Sequence, residues 1–162
     1  MTLAAILILA FVTLQRLAEL WLANRNTRRL LANGAREAEP GHYPLIVAVH
    51  VAWLLTLWLL APGRPIGWAL LIVFALLQLA RVWVIATLGP RWTTRIIVLP
   101  QAPLVKRGPF RFVSHPNYIV VAAEIAVLPL VFGLWIVALV FTILNAVILT
   151  IRVRAENRAL GR

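Results

Sequence analysis

Apolar residues run through this chain in five long blocks, separated by short polar stretches in which arginine dominates. A bilayer core about 30 Å thick needs about 20 apolar residues per helix. By that ruler the blocks predict spans over Thr2–Ala23, Pro44–Leu60, Gly67–Leu88, Asn117–Phe132 and Leu134–Ile151. The last two are slightly short, which allows a tight hairpin near Gly133 that does not fully clear the far leaflet. Pro129 is expected to kink the fourth helix, because its ring removes a helix hydrogen bond. No internal repeat or low-complexity segment interrupts the pattern. The expected fold is an all-α integral membrane protein of about five transmembrane helices, with a C-terminal helical hairpin and a long cytoplasmic loop.

Composition agrees with the pattern. The 162 residues are 62% hydrophobic, against roughly half in soluble domains, and mean hydropathy is +0.91. The spans consume most of the length, so residues 1–162 are expected to form one domain, with three spans in 1–88 and the loop, hairpin and C-terminal site in 89–162. The N-terminus has no basic n-region and no small-residue cleavage site after its apolar run, so it is expected to be a retained span rather than a signal peptide.

A net charge of +11 suggests nucleic acid only until the charges are located. Arg25, Arg28, Arg29 and Arg36 follow the first span, Arg91, Arg95, Lys106, Arg107 and Arg111 follow the third, and Arg152, Arg154, Arg158 and Arg162 follow the fifth. Only Arg64 falls on the other side, so 13 of the 14 loop and tail Lys/Arg share one face. This is the positive-inside bias and predicts an outside N-terminus and a cytoplasmic C-terminus. No nucleic-acid partner is expected. Trp58, Trp68 and Trp135 are expected at the outer interface, and Trp21 and Trp92 at the inner one. The chain has no cysteine, which excludes disulfides, iron-sulfur clusters, Cys-ligated zinc and thiol catalysis.

Four polar elements carry candidate chemistry. The connection from Gly89 to Ser114 contains four prolines and the apolar run Ile96-Ile97-Val98-Leu99, and it is far longer than a helix link requires. It is expected to pack over the bundle as a lid or ligand wall. His115 and Tyr118 lie three apart on one side of the first turn of span four, with Pro116 suited to the first helical position, leaving the ring nitrogens of His115 free for a ligand. The plainer alternative is an interfacial His and Tyr that anchor the headgroup region. Glu124 lies two turns deeper, where an acid needs a partner or a cavity, and Arg81 and Arg152 are the available partners. Arg152 and Glu156 share a face in the poorer order for helix stabilisation, which favours a ligand as their purpose.

Other polar residues have simpler readings. Arg25, Asn26, Glu37, His42 and Tyr43 are expected in a solvated charged loop. Arg16 and Glu19 are expected to pair or snorkel near the cytoplasmic end of span one. Arg154 and Arg158 read as positive-inside charges. His50 reads as a hydrogen-bonded bundle residue, since no second His or acid stands at metal-ligand spacing, and Asn145 as interhelical glue. No metal site is expected.

From about Leu88 to Leu160 the chain resembles the isoprenylcysteine carboxyl methyltransferase family. The matching features are Leu-Gly-Pro-Arg-Trp-Thr, Leu104-Val105-x-x-Gly108-Pro109-Phe110, His115-Pro116-Asn117-Tyr118, Glu124, Pro129 and Arg152-x-x-x-Glu156. The resemblance implies S-adenosylmethionine as methyl donor, bound between the cytoplasmic loop and the ends of the last two helices. It assigns cofactor-binding places to Leu104, Val105, Phe110, His115, Pro116, Asn117, Tyr118 and Glu156. It gives Arg152 the acceptor, and makes Arg152 and Glu156 the catalytic pair. Ser114 stands where the family usually has Arg, and Asn157 where many members have a second acid. Arg25-Asn26, Gly34-Ala35 and His42-Tyr43-Pro44 are similar to small bacterial members that often accompany type III polyketide synthases and resemble O-methyltransferases of alkylpyrone-type lipids.

The resemblance thus implies an enzyme of the inner or plasma membrane that methylates a carboxylate or acidic hydroxyl of a lipophilic acceptor, alkylpyrone-type or prenylcysteine-like. The absence of Gly-x-Gly and of strand-helix alternation argues against a Rossmann-type cofactor site. The rival classes are a non-enzymatic scaffold, a transporter subunit, which calls for broken helices near the midplane and repeat symmetry, and a reductase related to sterol reductases.

Overall fold

The first apolar block continues as helix well beyond the length that a bilayer core requires. In the computed structural model, which describes residues 2–161, helix α1 runs Thr2–Ala32 rather than stopping at Ala23. No Pro or Gly stands before Gly34, and the Arg and Leu residues of the extra turns are strong helix formers. At 1.5 Å per residue α1 is about 46 Å long, well past a 30 Å core. Arg25, Arg28 and Arg29 therefore lie on a helix, and Arg16 and Glu19 sit midway along α1. Arg162 of the basic tail lies outside the described residues.

Helices α2 (Tyr43–Leu60), α3 (Trp68–Leu88) and α4 (Pro116–Val131) begin and end within a residue of their predicted bounds. Helix α5 (Trp135–Leu160) overruns its apolar block by more than two turns and stops at Gly161, which takes φ 68. Among the described residues four helices are long and apolar enough to cross a membrane, and α4 is a shorter apolar helix. The protein is an all-α, multi-pass membrane protein. Helix α4 packs against both α3 and α5, and α5 also meets α2. Leu9, Val12, Trp53, Leu57, Ile125 and Leu128 pack in the core, where Trp53 Nε1 donates to the Ile125 carbonyl at 3.2 Å. The outward-facing leucines, such as Leu7, Leu14, Leu55 and Leu79, are exposed and supply the lipid-facing surface.

Pro129, expected to kink the fourth helix, lies within α4 close to its end. It lies in the last turn, where its carbonyl accepts from Leu134 N at 3.0 Å as Gly133 turns the chain with φ 68. The Val131 carbonyl, beyond the end of α4's ladder, accepts from Gly67 N at 2.7 Å, which ties the start of α3 to the hairpin tip.

A closed ionic cluster joins α1, α3 and α4. Arg81 donates to both Glu19 oxygens at 2.5 and 2.6 Å and to Glu124 Oε2 at 2.9 Å. Arg16 reaches Glu19 at 3.0 Å and Glu124 at 2.8 Å, and Gln78 donates to Glu124 Oε1 at 2.8 Å. Glu19, Arg81 and Glu124 are buried. Of the two partners expected for Glu124, Arg81 is the one it meets, and Arg16 joins it. His50 Nδ1 lies 2.8 Å from the Ile46 carbonyl within its own helix, and Asn145 is buried.

The aromatic residues follow the belt pattern only in part. Trp21, Trp68 and Trp135 are exposed, but Trp92 is 2% exposed and packs inside the protein. Trp58 also turns inward, donating to Thr13 Oγ1 at 3.0 Å.

The long loop holds a strand that the sequence reading did not anticipate. Strand β1 (Arg36–Glu37) pairs antiparallel with β2 (Ile97–Val98), in register Arg36 to Val98 and Glu37 to Ile97. Ala38 N extends the ladder to the Ile96 carbonyl at 2.9 Å. The run Ile96-Ile97-Val98 is β-branched, which suits a strand, yet two residues per strand leave almost no periodic signal.

Candidate active site

The C-terminal ends of α1, α3 and α5 and the first turn of α4 converge at one end of the bundle, and the long loop closes over them. Leu30, Leu88 and Leu160 from those three helix ends line the resulting cavity of about 190 Å³. One local feature holds the loop against a helix, and a second holds the loop to itself. Gly108 takes φ +55, and a Cβ there would lie 2.6 Å from Thr87 Oγ1 of α3, so only glycine lets the Gly-Pro-Phe turn approach so closely. Arg91 Nη1 donates to the Pro103 carbonyl at 2.7 Å, cross-linking the loop to itself.

The first turn of α4 and the last turns of α5 supply the polar wall. His115 is the N-cap residue, with Pro116 opening the helix, and its ring stacks on Tyr118 with centroids 5.3 Å apart. The Tyr118 hydroxyl donates to Glu156 Oε2 and accepts from Arg152 Nε at 2.8 Å. Arg152 Nη2 donates to the Thr94 carbonyl at 2.6 Å. Two of its three nitrogens are thus fixed, while Nη1 makes no hydrogen bond among the described residues. Arg152 is buried, and its guanidinium lies 5.4 Å from the Tyr118 ring centroid. His115 Nδ1 stands 3.8 Å from Glu156 Oε2. A protonated imidazole there would pair with the carboxylate.

Eight of the predicted site residues, Leu104, Val105, Phe110, His115, Asn117, Tyr118, Arg152 and Glu156, line this one cavity. Pro116 does not. It is buried in the first turn of α4 and shapes that turn rather than facing the space. The ring nitrogens of His115 are not both free, since Nε2 lies 3.1 Å from Asn157 Oδ1. An amide oxygen only accepts, so Nε2 carries the proton.

A family model for the isoprenylcysteine carboxyl methyltransferase (ICMT) family matches residues 69–162, which include α4, α5, the long loop and most of α3. The chain belongs to that family. An uncharacterized protein of Bacillus subtilis (strain 168), YpbQ, is 39% identical over 159 residues, covering 95% of each chain. An uncharacterized protein of Haemophilus influenzae (strain ATCC 51907 / DSM 11121 / KW20 / Rd) is 29% identical over 169 residues, covering 99% of this chain and 93% of that protein. No solved structure matches the chain significantly. As an ICMT-family protein, the chain is a member of a membrane methyltransferase family.

The segment outside the ICMT match also reaches the site, and the solvated-loop expectation for it is wrong at three positions. Asn26 is buried and donates to the carbonyls of Gly89 and Trp92 at 3.2 and 2.8 Å. Glu37 accepts from Arg95 Nη1 at 3.2 and 3.1 Å. The Tyr43 hydroxyl lies 3.1 Å from Thr94 Oγ1. Arg158, expected as a positive-inside charge, is exposed and pairs with Glu39 at 2.8 Å. Its hydrogen bond holds the exposed Glu39 carboxyl below the usual carboxylate range.

Arg91, Trp92, Thr93 and Arg95 also line the cavity, although the sequence reading gave them no site role. The only signal was their place in and beside Leu-Gly-Pro-Arg-Trp-Thr. S-adenosylmethionine, the donor implied by the ICMT family, offers amino and hydroxyl donors, a carboxylate and an adenine plane. The residues present fit that set. Glu156 and the buried, unpartnered Asn117 Oδ1 are acceptors, Arg91 and Arg95 are cationic, and Leu104, Val105 and Phe110 form an apolar wall.

Proposed function

We propose that this protein is an S-adenosylmethionine-dependent O-methyltransferase that modifies a lipophilic acid at the cytoplasmic face of the inner or plasma membrane. The observation that carries the reading is the meeting of Tyr118 from α4 with Arg152 and Glu156 from α5 inside the loop-covered cavity. Glu156, Asn117, His115 and Tyr118 would hold the cofactor's polar groups, and Leu104, Val105 and Phe110 its adenine. When bound, S-adenosylmethionine supplies a methyl group on a positively charged sulfur, which passes to an acceptor oxygen while the sulfur keeps the electron pair of the broken bond.

Arg152 holds the acceptor anion through the nitrogen left free by Tyr118 and Thr94. The loop excludes water from the reacting pair, which favours a step that removes one positive and one negative charge. A donor fixed in this way would orient the acceptor oxygen for the transfer that the bound cofactor supplies. An acceptor already ionised at neutral pH needs no base, which suits a carboxylate or an acidic enol, whereas a phenol with pKa about 10 needs one. Glu156 already accepts from Tyr118, and His115 already binds Asn157. This division supports a prenylcysteine-like carboxylate or an alkylpyrone-type hydroxyl as the acceptor, with a polyketide synthase as a natural source of the second.

The transporter alternative draws on the ionic cluster along α1, α3 and α4. None of its four charged residues lines the described cavity, and each is paired. Titrating the purified protein separately with S-adenosylmethionine and NADPH tests the proposal. Saturable binding of the first alone is expected, followed by methyl transfer to a synthetic long-chain hydroxypyrone or to N-acetyl-S-farnesylcysteine. Binding of NADPH alone would replace the reading with reductase chemistry, and binding of neither would leave a scaffold.

A further inference from the structure

We infer that Tyr43, on the first turn of α2 and outside the family match, is a positioning residue that aims Arg152 at the methyl acceptor. The inference rests on the methyltransferase reading.

The physical chain is short. Arg152 is fixed by Tyr118 on one side and by the Thr94 peptide on the other, at 2.8 and 2.6 Å. A guanidinium is planar, so fixing Nε and Nη2 sets the direction in which Nη1 points. The Tyr118 contact lies within the α4–α5 hairpin. Thr94 lies in the loop, so the aim of Arg152 depends on whatever holds Thr94.

Tyr43 does so through the hydroxyl pair with Thr94 Oγ1 at 3.1 Å. Its own ring is packed under Arg95, whose guanidinium lies 4.8 Å from the ring centroid, and Arg95 is in turn held by Glu37 of β1. The β1–β2 ladder keeps the two connections in register. The N-terminal half thereby reaches the candidate acceptor site through one phenol, one threonine and one peptide carbonyl. A tyrosine that merely anchored α2 at the membrane surface would have no reason to meet the residue that holds Arg152.

The test uses the full-length protein and the variants Tyr43→Phe, Thr94→Val and their combination. Tyr43→Phe keeps the ring under Arg95 and removes only the hydroxyl. Three readouts are taken: S-adenosylmethionine affinity, kcat/KM for the hydroxypyrone and farnesylcysteine probes, and the rate at which phenylglyoxal modifies Arg152, followed by mass spectrometry with exposed Arg158 as internal reference. Each single variant is expected to lower acceptor kcat/KM about tenfold, inside the hundredfold that an ångström of misplacement can cost. Cofactor affinity stays within about twofold, and Arg152 modification speeds up. The double variant is expected to be no worse than either single one, because both remove the same link.

Unchanged Arg152 modification, a parallel fall in cofactor affinity, or additive losses in the double variant would overturn the inference while leaving the methyltransferase reading intact. Failure of the unsubstituted protein to bind S-adenosylmethionine would sink that reading, and the inference with it.

Discussion

Two clusters in this protein use the same kinds of residue to opposite ends. The ionic cluster of Arg16, Glu19, Arg81 and Glu124 is closed: two cations meet two anions, and Arg81 spends all three of its nitrogens on them. The cavity cluster of His115, Tyr118, Arg152 and Glu156 is open: Arg152 keeps one nitrogen free, and its members line a cavity. Charged groups held away from water must be paired or be functional. The first cluster takes the pairing solution and joins three helices, whereas the second keeps unspent hydrogen-bonding capacity for a ligand. Similar composition gives a clamp in one place and a candidate site in the other: Arg81 meets carboxylates with every nitrogen, whereas Arg152 lines a cavity with one nitrogen unbonded among the described residues.

Substitutions can break this contrast, and the closed cluster should suffer the largest change in stability. Arg81→Ala leaves two buried carboxylates facing Arg16 alone and is expected to cost about 3–5 kcal/mol, the usual consequence of breaking a buried ion pair from one side. Thermal unfolding in detergent would show it, and the fraction that remains folded should bind S-adenosylmethionine as before. Arg152→Ala should do the reverse, with little change in unfolding temperature and a fall in turnover of about a hundredfold or more, as when one preorganised donor is removed from a reacting oxyanion. Its cofactor affinity is expected to change only severalfold, because Tyr118 and Glu156 remain paired.

Smaller effects sharpen the comparison. Glu156→Gln keeps the side-chain shape but removes a charge-assisted acceptor, so cofactor affinity measured by calorimetry should fall about tenfold. The exposed pair Glu39 with Arg158 sets the floor. Glu39→Gln is expected to leave both unfolding temperature and turnover within error, since solvent and salt screen such pairs.

The sequence revealed the spans better than their ends. Hydropathy located the starts of α2 to α5 to within a residue, because each follows a Gly, Pro or polar break. It missed the last turns of α1 and α5, because hydropathy measures what lipid tolerates and helix propensity is a separate quantity. Asn24–Ala32 and Arg152–Leu160 are polar yet contain nothing that stops a helix.

The same distinction governs the site. His115, Tyr118, Arg152 and Glu156 were legible because side-chain chemistry stands at helical spacing on two adjacent spans. Thr94 was not, since its contribution is a peptide carbonyl, and every residue has one of those. Asn26 and Tyr43 looked like loop polarity until the long connection was seen to fold back onto them. The closed cluster was half visible: Arg81 was one of two partners offered for Glu124, and Arg16 was expected to pair or snorkel beside Glu19, but nothing in the sequence joined these groups into one cluster.

The hairpin tip carries one further consequence. Helix α4 has 16 residues, about 24 Å at helical rise, less than the thickness of a typical hydrocarbon core. The Val131 carbonyl beyond its ladder is satisfied by Gly67 N rather than by water, so the tip is comfortable beneath the headgroups. The four longer helices can cross a hydrocarbon core unaided, so α4 is the one member of the bundle whose reach depends on its turn and on a neighbour's backbone.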